Sequence, residues 1–398
     1  MTIRHKSHRW QALAVTAALA IGLSGCGADS PSPDAKEAPA EDVALSITDV
    51  EGRTVEFDET PEHIALGESR QAFSLLFLQP DDPVNKVAAW GSDLQKNVPD
   101  VYSRLLEIAP EAEDIPQLGN AKKGDLNAET LMSYDPDVFV MDINQYEAAE
   151  SAGLTADLDK ADLPYVVVDF RLDPVVNTPK SVEILGQLFD QTENAERFVT
   201  HYHDLVDPVL EAGDEVTDRV ETFYWRSPGV SEPGRTYGDV NFGRQIQQAG
   251  GENLGTELIS GDEGTVTTEQ LIAVQPEAII ASGGQWESLD INEDSHTSYL
   301  ALGYDVDAKT ARESLAALQD ETGYDELDAF DNERVYGVYH QFYDSPFNFI
   351  AYQAFAHWLG TPGFVDVDVH ETWADFHEEF MPWPGEGNVT IALSDDSE

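Results

Sequence analysis

Short apolar runs separated by helix-like stretches are the main pattern in the body of the chain. The runs are rich in β-branched and aromatic residues and are bounded by glycine, proline or acidic residues. Such runs predict buried strands, and their alternation with helices predicts parallel α/β sheets. The predicted strands are residues 64–66, 87–90, 138–141, 165–168, 222–225, 278–281 and 334–338.

One of these patterns occurs twice, about 140 residues apart. Glu129 lies seven residues before Pro136, and Glu269 lies seven residues before Pro276; an acidic residue and an apolar run follow each proline. Each copy predicts a capped helix with glutamate in its first turn, a stop at proline and then a buried strand. A repeated unit of this kind predicts two lobes of similar architecture.

Two stretches carry apolar residues at helical spacing. Residues 178–210 predict one long, stiff helix between the lobes, and residues 347–358 predict an amphipathic helix of the core that ends at Gly360 and Pro362. The predicted organisation is therefore an N-terminal α/β lobe over 45–176, a helical linker over 177–213 and a C-terminal α/β lobe with an acidic tail over 214–398.

The amino end has the composition of a secretion signal. Arg4, Lys6 and Arg9 precede an apolar stretch over 12–23, which is short for a membrane span. Residues 23–26, Leu-Ser-Gly-Cys, resemble the bacterial lipobox, so residues 1–25 are predicted to be a lipoprotein signal peptide. Cys26 would then carry the lipid, with acyl chains such as palmitate, and would anchor the protein to the outer face of the cell membrane. A plain signal peptide with a chance cysteine is the alternative.

Cys26 is the only cysteine, so disulfides and thiolate metal sites are excluded. Residues 26–44 are rich in Ser, Pro, Ala, Asp and Glu and are predicted to be a disordered tether.

The charge is strongly negative. The formal charge is −54, and loss of the three basic residues of the signal peptide would make it −57. A body this acidic is a poor partner for nucleic acid. It favours cationic or neutral ligands over free anions, although general acidity with no bearing on the ligand explains it equally well.

Several motifs, taken in order, resemble one known family. They are residues 47–55 and 61–65, the two repeats, residues 249–253 and residues 327–336. The chain resembles the iron-siderophore and cobalamin binding proteins of ABC importers, the class III substrate-binding proteins, over nearly all of residues 45–380. It departs from them at His63, where the family usually has arginine, and in the acidic stretch after Met381.

The resemblance implies a fold and a role. It implies two Rossmann-like lobes with parallel sheets joined by a single long interdomain helix, and a monomer that captures a ferric siderophore or similar iron chelate for an ABC permease dimer. It also implies that Glu129 and Glu269 pair with arginines of the permease. A purely local role, in which each glutamate stabilises its helix dipole by about 0.3–1 kcal/mol, is compatible with docking.

Ligands of parallel α/β sheets contact the loops at the carboxyl ends of the strands. Aromatic walls bury flat ligand surface and guanidinium groups bind oxyanions, although packing explains any single aromatic residue equally well. The candidate ligand-binding residues are Arg70, Trp90, Asn144, Arg171, Trp225, Arg226, Tyr237, Trp286, His340 and Tyr343.

A bare metal ion is not the expected ligand, and no cofactor is expected. Only His340 falls in a predicted cleft loop, and His201 and His203 lie two residues apart on a helix and cannot share a face. Motifs of hydrolases, metalloproteases and phosphate loops are missing, so an enzyme is not predicted. Haem (with Tyr237, Tyr343 or His340 as axial ligand), cobalamin and molybdate remain open as ligands, and a surface adhesin remains open as another class.

Overall fold

The computed structural model describes residues 43–286 and 299–395. The predicted signal peptide, Cys26 and the tether up to residue 42 lie outside the described residues. The folded body forms one compact unit from Asp42 onward. Within the described ranges, no helix combines the length and the apolar character needed to cross a membrane.

Helices and strands alternate along this unit. The strands are β1 Leu45–Thr48, β2 Thr54–Phe57, β3 Ile64–Leu66, β4 Val87–Trp90, β5 Val138–Asp142, β6 Tyr165–Val168, β7 Glu221–Trp225, β8 Arg235–Tyr237, β9 Glu252–Asn253, β10 Glu263–Thr265, β11 Ala278–Gly283, β12 Val335–Tyr339 and β13 Thr390–Ala392. The helices are α1 Ala72–Leu78, α2 Asp93–Asn97, α3 Pro99–Ile108, α4 Ala128–Met132, α5 Ile143–Ala152, α6 Leu154–Lys160, α7 Pro174–Leu188, α8 Thr192–Glu215, α9 Asn241–Gln248, α10 Gly255–Leu258, α11 Thr268–Val274, α12 Ala308–Ala317, α13 Asp328–Asp331, α14 Asn348–Trp358 and α15 Val369–Phe380.

The first lobe is built on a parallel sheet of order β4-β3-β5-β6. A hairpin of β1 and β2 covers one edge, and its turn is fixed by Asp49, whose carboxylate accepts hydrogen bonds from Arg53 N at 3.0 Å and from Val167 N at 3.2 Å. Gly52 supplies the left-handed conformation of that turn, with φ of 77°. The Asp-x-x-Gly-Arg motif of the sequence is thus a structural turn.

The second lobe has a five-stranded sheet of order β13-β12-β11-β7-β9. All neighbours are parallel except β13, which runs antiparallel to β12 at the edge. The residues after Met381 were expected to form an acidic tail, and this is wrong for residues 390–392, which form β13. Val389, Ile391 and Ala392 are buried, because β13 completes the sheet.

The helical segment between the lobes is divided. One helix was predicted over 178–210, but α7 ends at Leu188 and α8 begins at Thr192, with Asp190 in the left-handed conformation between them. Helix α7 packs on β1 and β6 of the first lobe, whereas α8 packs on α7 and also on α9 and α14 of the second. The single connecting helix is therefore the 24-residue α8.

The internal repeat is confirmed at the level of the backbone. Asn127 and Thr267 cap α4 and α11 by accepting hydrogen bonds from backbone amides in the first turn. Asp135 and Gln275, each directly before the proline, both adopt positive φ, of 52° and 49°. The predicted strands are also confirmed, and so is α14, although α14 is buried on nearly all sides and is not amphipathic.

Candidate functional site

The two lobes meet where loops at the carboxyl ends of their strands face each other. Arg70, after β3, and Arg171, after β6, extend from the first lobe toward Tyr343, after β12 of the second. Arg70 Nη1 donates a hydrogen bond to the Tyr343 hydroxyl at 2.8 Å, and Arg171 Nη2 donates to the same oxygen at 3.1 Å. Both guanidinium groups also lie over the Tyr343 ring, at 5.6 and 4.9 Å from its centroid. Three of the predicted residues therefore form one contact between the lobes.

Arg70 is buried and surrounded by carboxylates. Its guanidinium lies 3.0 Å from Glu68, 2.8 Å from Asp93 and 3.0 Å from Asp344. Asp93 also accepts hydrogen bonds from the backbone amides of Ser69 and Arg70, at 2.7 and 3.1 Å. Asp93 therefore fixes both the loop and the direction of the Arg70 side chain.

Arg171 shares two of these partners. Its Nη2 atom lies 2.6 Å from Asp344 Oδ2 and 3.7 Å from Glu68 Oε2. The same Asp344 oxygen is the one that contacts Arg70. Two guanidinium groups of the first lobe thus converge on one carboxylate oxygen of the second.

This cluster holds more carboxylates than guanidinium groups. Burial, together with the nearby carboxylate of Asp142, raises the pKa of Glu68 to about 7, although Arg70 and Arg171 act in the opposite direction. The proton on Glu68 is therefore bound more tightly than on an ordinary glutamic acid.

The second-lobe side of the cleft is formed by a neutral histidine among hydroxyl and aromatic groups. His340 Nδ1 lies 2.9 Å from Ser282 Oγ and 3.1 Å from Ser227 Oγ. Its ring stacks on Tyr343 at 4.5 Å and lies 5.7 Å from Trp286. Burial lowers the pKa of His340 well below its usual value, and the arginines of the cleft add to this effect. A neutral imidazole beside two aromatic rings can pack against an organic ligand.

Arg226 lies at the rim of the second lobe. It contacts Glu263 at 2.9 Å, and Arg235 contacts the same Glu263 oxygen at 2.7 Å. The Arg226 guanidinium also lies 5.2 Å from the centre of the Tyr237 ring. Two partly exposed arginines therefore share one carboxylate at this rim.

A cavity of about 300 Å³ opens beside the arginines of the first lobe. Arg70, Arg171, Lys96, Lys122 and Lys123 line it, out of 22 lysines and arginines in the whole chain. The three lysines are exposed and make no ion pair with any carboxylate of the described residues. Glu68, Asp93 and Asp125 line the cavity as well, so basic side chains outnumber acidic ones there by five to three, in a protein with a formal charge of −54.

The remaining predicted residues take different positions. Trp90 and Trp225 are buried in the hydrophobic core, where Trp225 packs on Tyr324 with ring centres 4.3 Å apart. Tyr237 is also buried and stacks on Tyr224. Asn144 lies in the first turn of α5, and no hydrogen bond joins its side chain to the described residues of the cleft.

The carboxylates that contact the arginines and the lysines that line the cavity were not predicted from the sequence. Glu68 lies in the loop after β3 and Asp344 directly follows Tyr343, whereas Asp93 and Lys96 lie in α2, which follows the loop after β4. A usable signal was available, because a buried arginine requires a carboxylate partner. It could not select partners in a chain that has 76 acidic residues.

A second contact between the lobes lies outside the cavity. Asp100 of α3 is buried, and its carboxylate accepts hydrogen bonds from Tyr304 N at 3.1 Å and from the Tyr339 hydroxyl at 3.1 Å. Nearby, Arg104 contacts Asp305 at 2.8 Å. These contacts fix the flank of the cleft, so the lobes are joined there as well as through α8.

Residues 43–286 and 299–395 contain no group of three or more His, Cys, Asp or Glu side chains arranged to hold a metal ion. The groups that converge in the cleft are guanidinium, carboxylate, hydroxyl and aromatic groups, which can hydrogen-bond to and pack against an organic ligand.

Comparison with known proteins identifies the class. A family model described as periplasmic binding protein matches residues 81–340, so the chain belongs to this family, whose members are solute-binding proteins of ABC transporters and not enzymes. A comparison with curated protein sequences gives no match.

Solved structures share the fold. The TroA-like periplasmic binding protein FepB from Veillonella parvula superposes with a TM-score of 0.77 at 22% identity, covering 88% of this chain and 100% of its own. The molybdate periplasmic binding protein MolA of Haemophilus influenzae gives 0.62 at 16% identity over 86% and 100% of the two chains. A periplasmic heme binding protein from Pseudomonas aeruginosa gives 0.52 at 14% identity over 76% and 94%. At these identities the likeness establishes the two-lobed α/β fold alone.

Proposed function

We propose that this chain is a lipid-anchored, extracytoplasmic solute-binding protein of an ABC importer, and that it captures a ferric siderophore or a similar iron chelate between its lobes. The observation that carries the proposal is the cleft itself, in which Arg70, Arg171 and Tyr343 meet beside a lysine-lined cavity. An iron chelate brings its own oxygen ligands to the metal, so the protein needs donors for the chelate's outer oxygens and aromatic surface for its body.

The charge around the cavity favours an anionic chelate. Lys96, Lys122 and Lys123 are exposed and line the cavity, whereas the chain as a whole is acidic. Positive charge at the mouth of a cleft attracts an anionic ligand and raises its association rate, an effect that salt weakens. Ferric catecholates and ferric citrate are anionic, and ferric trihydroxamates are close to neutral.

A titration of the purified protein followed by tryptophan fluorescence tests this proposal, because Trp286 lies beside His340 in the cleft. The ligands are ferric tricatecholate, ferric citrate, ferric trihydroxamate, haemin, cobalamin and molybdate. We expect saturable quenching by a ferric chelate. Replacement of the three cavity lysines by glutamine should weaken an anionic chelate about tenfold or more, at roughly 0.5 kcal/mol or more for each charge.

The matched control is the pair Lys160→Gln and Lys309→Gln. Both side chains are exposed and lie away from the cavity, so the double variant should bind like the wild type. No fluorescence change with any ferric chelate, together with a Soret shift from haemin or a fluorescence change with molybdate, would be compatible with the importer role but would overturn the iron chelate as ligand. A lysine variant that binds anionic chelates with unchanged affinity would contradict the role of the cavity.

Docking on the permease is part of the proposal. Glu129 and Glu269 are exposed, lie in the first turns of the two repeat helices, and make no ion pair with any described residue. Their equivalent positions in the two lobes suit a permease dimer with two equivalent arginine sites. Glu129→Arg and Glu269→Arg should abolish uptake into cells and leave ligand binding unchanged. Glu371→Arg, at another exposed helix first turn, is the control and should leave both unchanged.

The lipid anchor is tested separately at Cys26. Wild-type protein, expressed in cells that lipidate bacterial lipoproteins, should incorporate labelled palmitate and sediment with membranes. The Cys26→Ala variant should neither incorporate palmitate nor sediment with membranes. Palmitate incorporation that survives Cys26→Ala would contradict the predicted anchor.

A further inference from the structure

Asp344 reaches both arginines from the opposite lobe. Arg70 already contacts two carboxylates of its own lobe, Glu68 at 3.0 Å and Asp93 at 2.8 Å, so Asp344 at 3.0 Å is its third. Arg171 lies 3.7 Å from Glu68 and 2.6 Å from Asp344. The carboxylate of Asp344 is therefore an additional partner for Arg70 and the nearer of the two partners of Arg171.

The position of this carboxylate is also informative. Arg70 Nη1 and Arg171 Nη2 converge on the single atom Asp344 Oδ2, and both also donate to the Tyr343 hydroxyl. Two guanidinium groups aimed at one oxygen from one side form a binding position for an anionic oxygen. In the structure, a side chain of the protein itself occupies that position.

The available volume supports the same conclusion. The cavity beside the arginines is about 300 Å³, at the lower limit of sites for drug-sized molecules. Tyr343 lies between Arg171, which lines the cavity, and His340 of the second lobe, because it accepts a hydrogen bond from the first and stacks on the second. A ferric chelate with several bidentate groups would need the space that these two side chains fill.

We propose that Asp344 is an internal competitor for the ligand: its carboxylate holds the position on Arg70 and Arg171 that an anionic oxygen of the chelate takes on binding. This inference rests on the proposed function and adds a specificity rule to it. A ligand that places an anionic oxygen on the arginines must displace Asp344, so Asp344 lowers the affinity for anionic chelates more than for neutral ones. Asp344 then influences which ligands bind, because the ligand can reach Arg70 and Arg171 only when the Asp344 carboxylate leaves them.

The test compares Asp344→Asn with wild-type protein, using ferric tricatecholate and ferric trihydroxamate as probes. Asparagine keeps the volume of the side chain and removes its charge. We expect ferric tricatecholate to bind the variant about tenfold more tightly or better, because no charged competitor remains on the arginines. The gain for the neutral trihydroxamate should be smaller, so discrimination between the two probes changes.

Asp305→Asn is the matched control. It also removes an aspartate that pairs with an arginine across the lobes, at 2.8 Å from Arg104, but it lies outside the cavity. Its affinity for both probes should stay within about twofold of wild type. Asp344→Ser is a second variant that removes the charge if asparagine at this position prevents folding, which a thermal scan would reveal.

Unchanged or weaker binding of ferric tricatecholate by both Asp344 variants would overturn the inference, because Asp344 would then be a structural residue or a ligand contact. If wild-type protein binds that chelate, the proposed function survives this result. If wild-type protein binds no ferric chelate, the proposed ligand fails and the inference fails with it. The two failures are therefore distinguishable.

Discussion

The buried contact of Asp100 gives the sharpest prediction about how the lobes are held together. Asp100→Ala removes the acceptor of two buried donors, the Tyr304 amide and the Tyr339 hydroxyl, each at 3.1 Å. An unsatisfied buried donor costs about 1–3 kcal/mol, so the gross loss is about 2–6 kcal/mol. Burial raises the pKa of Asp100, which means that its ionised form is itself disfavoured and that removing it returns part of this energy.

The expected net loss in the free energy of unfolding is therefore about 2–4 kcal/mol for Asp100→Ala. Asp100→Asn retains one acceptor oxygen and should cost less than half as much. Urea unfolding at neutral pH, followed by circular dichroism, measures both.

Asp305→Asn serves as the control here too, because it breaks an exposed pair with Arg104 and should cost no more than about 1 kcal/mol. An Asp100→Ala protein within about 1 kcal/mol of wild type would refute the reasoning, since the donors would then have found other partners.

Three further changes test other parts of the molecule. The pKa of Glu68 is raised to about 7, so the folded state holds its proton more tightly than the unfolded state, and this group lowers stability as pH rises from about 4.5 to 7. The difference in thermal midpoint between Glu68→Gln and wild type should therefore shift in favour of the variant between pH 5 and 8. A difference that does not change with pH would contradict this prediction. Gly303→Ala should lower the thermal midpoint, because φ is 141° and a Cβ would lie 2.6 Å from Asp100 Oδ2. Gly360→Ala, at a positive φ with no atom near the added Cβ, should lower the midpoint less. Equal losses would show that the contact with Asp100 does not matter. Deletion of residues 387–398 removes β13 with buried Ile391 and should destabilise the second lobe, whereas an unchanged midpoint would indicate a detached tail.

Sequence reasoning succeeded where a short local pattern determines the structure. The apolar runs at 138–141 and 278–281 became β5 and β11, and the capped helices before them became α4 and α11, because strand burial and helix capping each depend on a few neighbouring residues. Loop positions followed from the strands, and the structure brings Arg70, Arg171 and Tyr343 from those loops into contact between the lobes.

It failed where the outcome depends on distant residues. The break between α7 and α8 needs a positive φ at Asp190 and the close approach of Gly186 to Ala195, which helical periodicity does not reveal. The burial of β13 needs its pairing with β12, more than 50 residues away.

The candidate site was predictable only in part, for the same reason. Trp90 and Trp225 lie at the strand ends that were predicted to border the cleft, but both are buried in the core. The side chain of an aromatic residue at a strand end can point to either the core or the cleft, and the sequence does not distinguish the two. The partners of the arginines were not predictable, because Asp344 lies 274 residues from Arg70 and competes with many other carboxylates.

Equilibrium dialysis with iron-labelled ferric tricatecholate tests the central claim most directly, with wild-type protein and Arg171→Ala compared in parallel. The account predicts reversible binding of one chelate per wild-type chain and a loss of about tenfold or more in affinity for the variant, because Arg171 is one of the two donors that converge at the cleft. Equal binding by both proteins, or binding by neither, would contradict it.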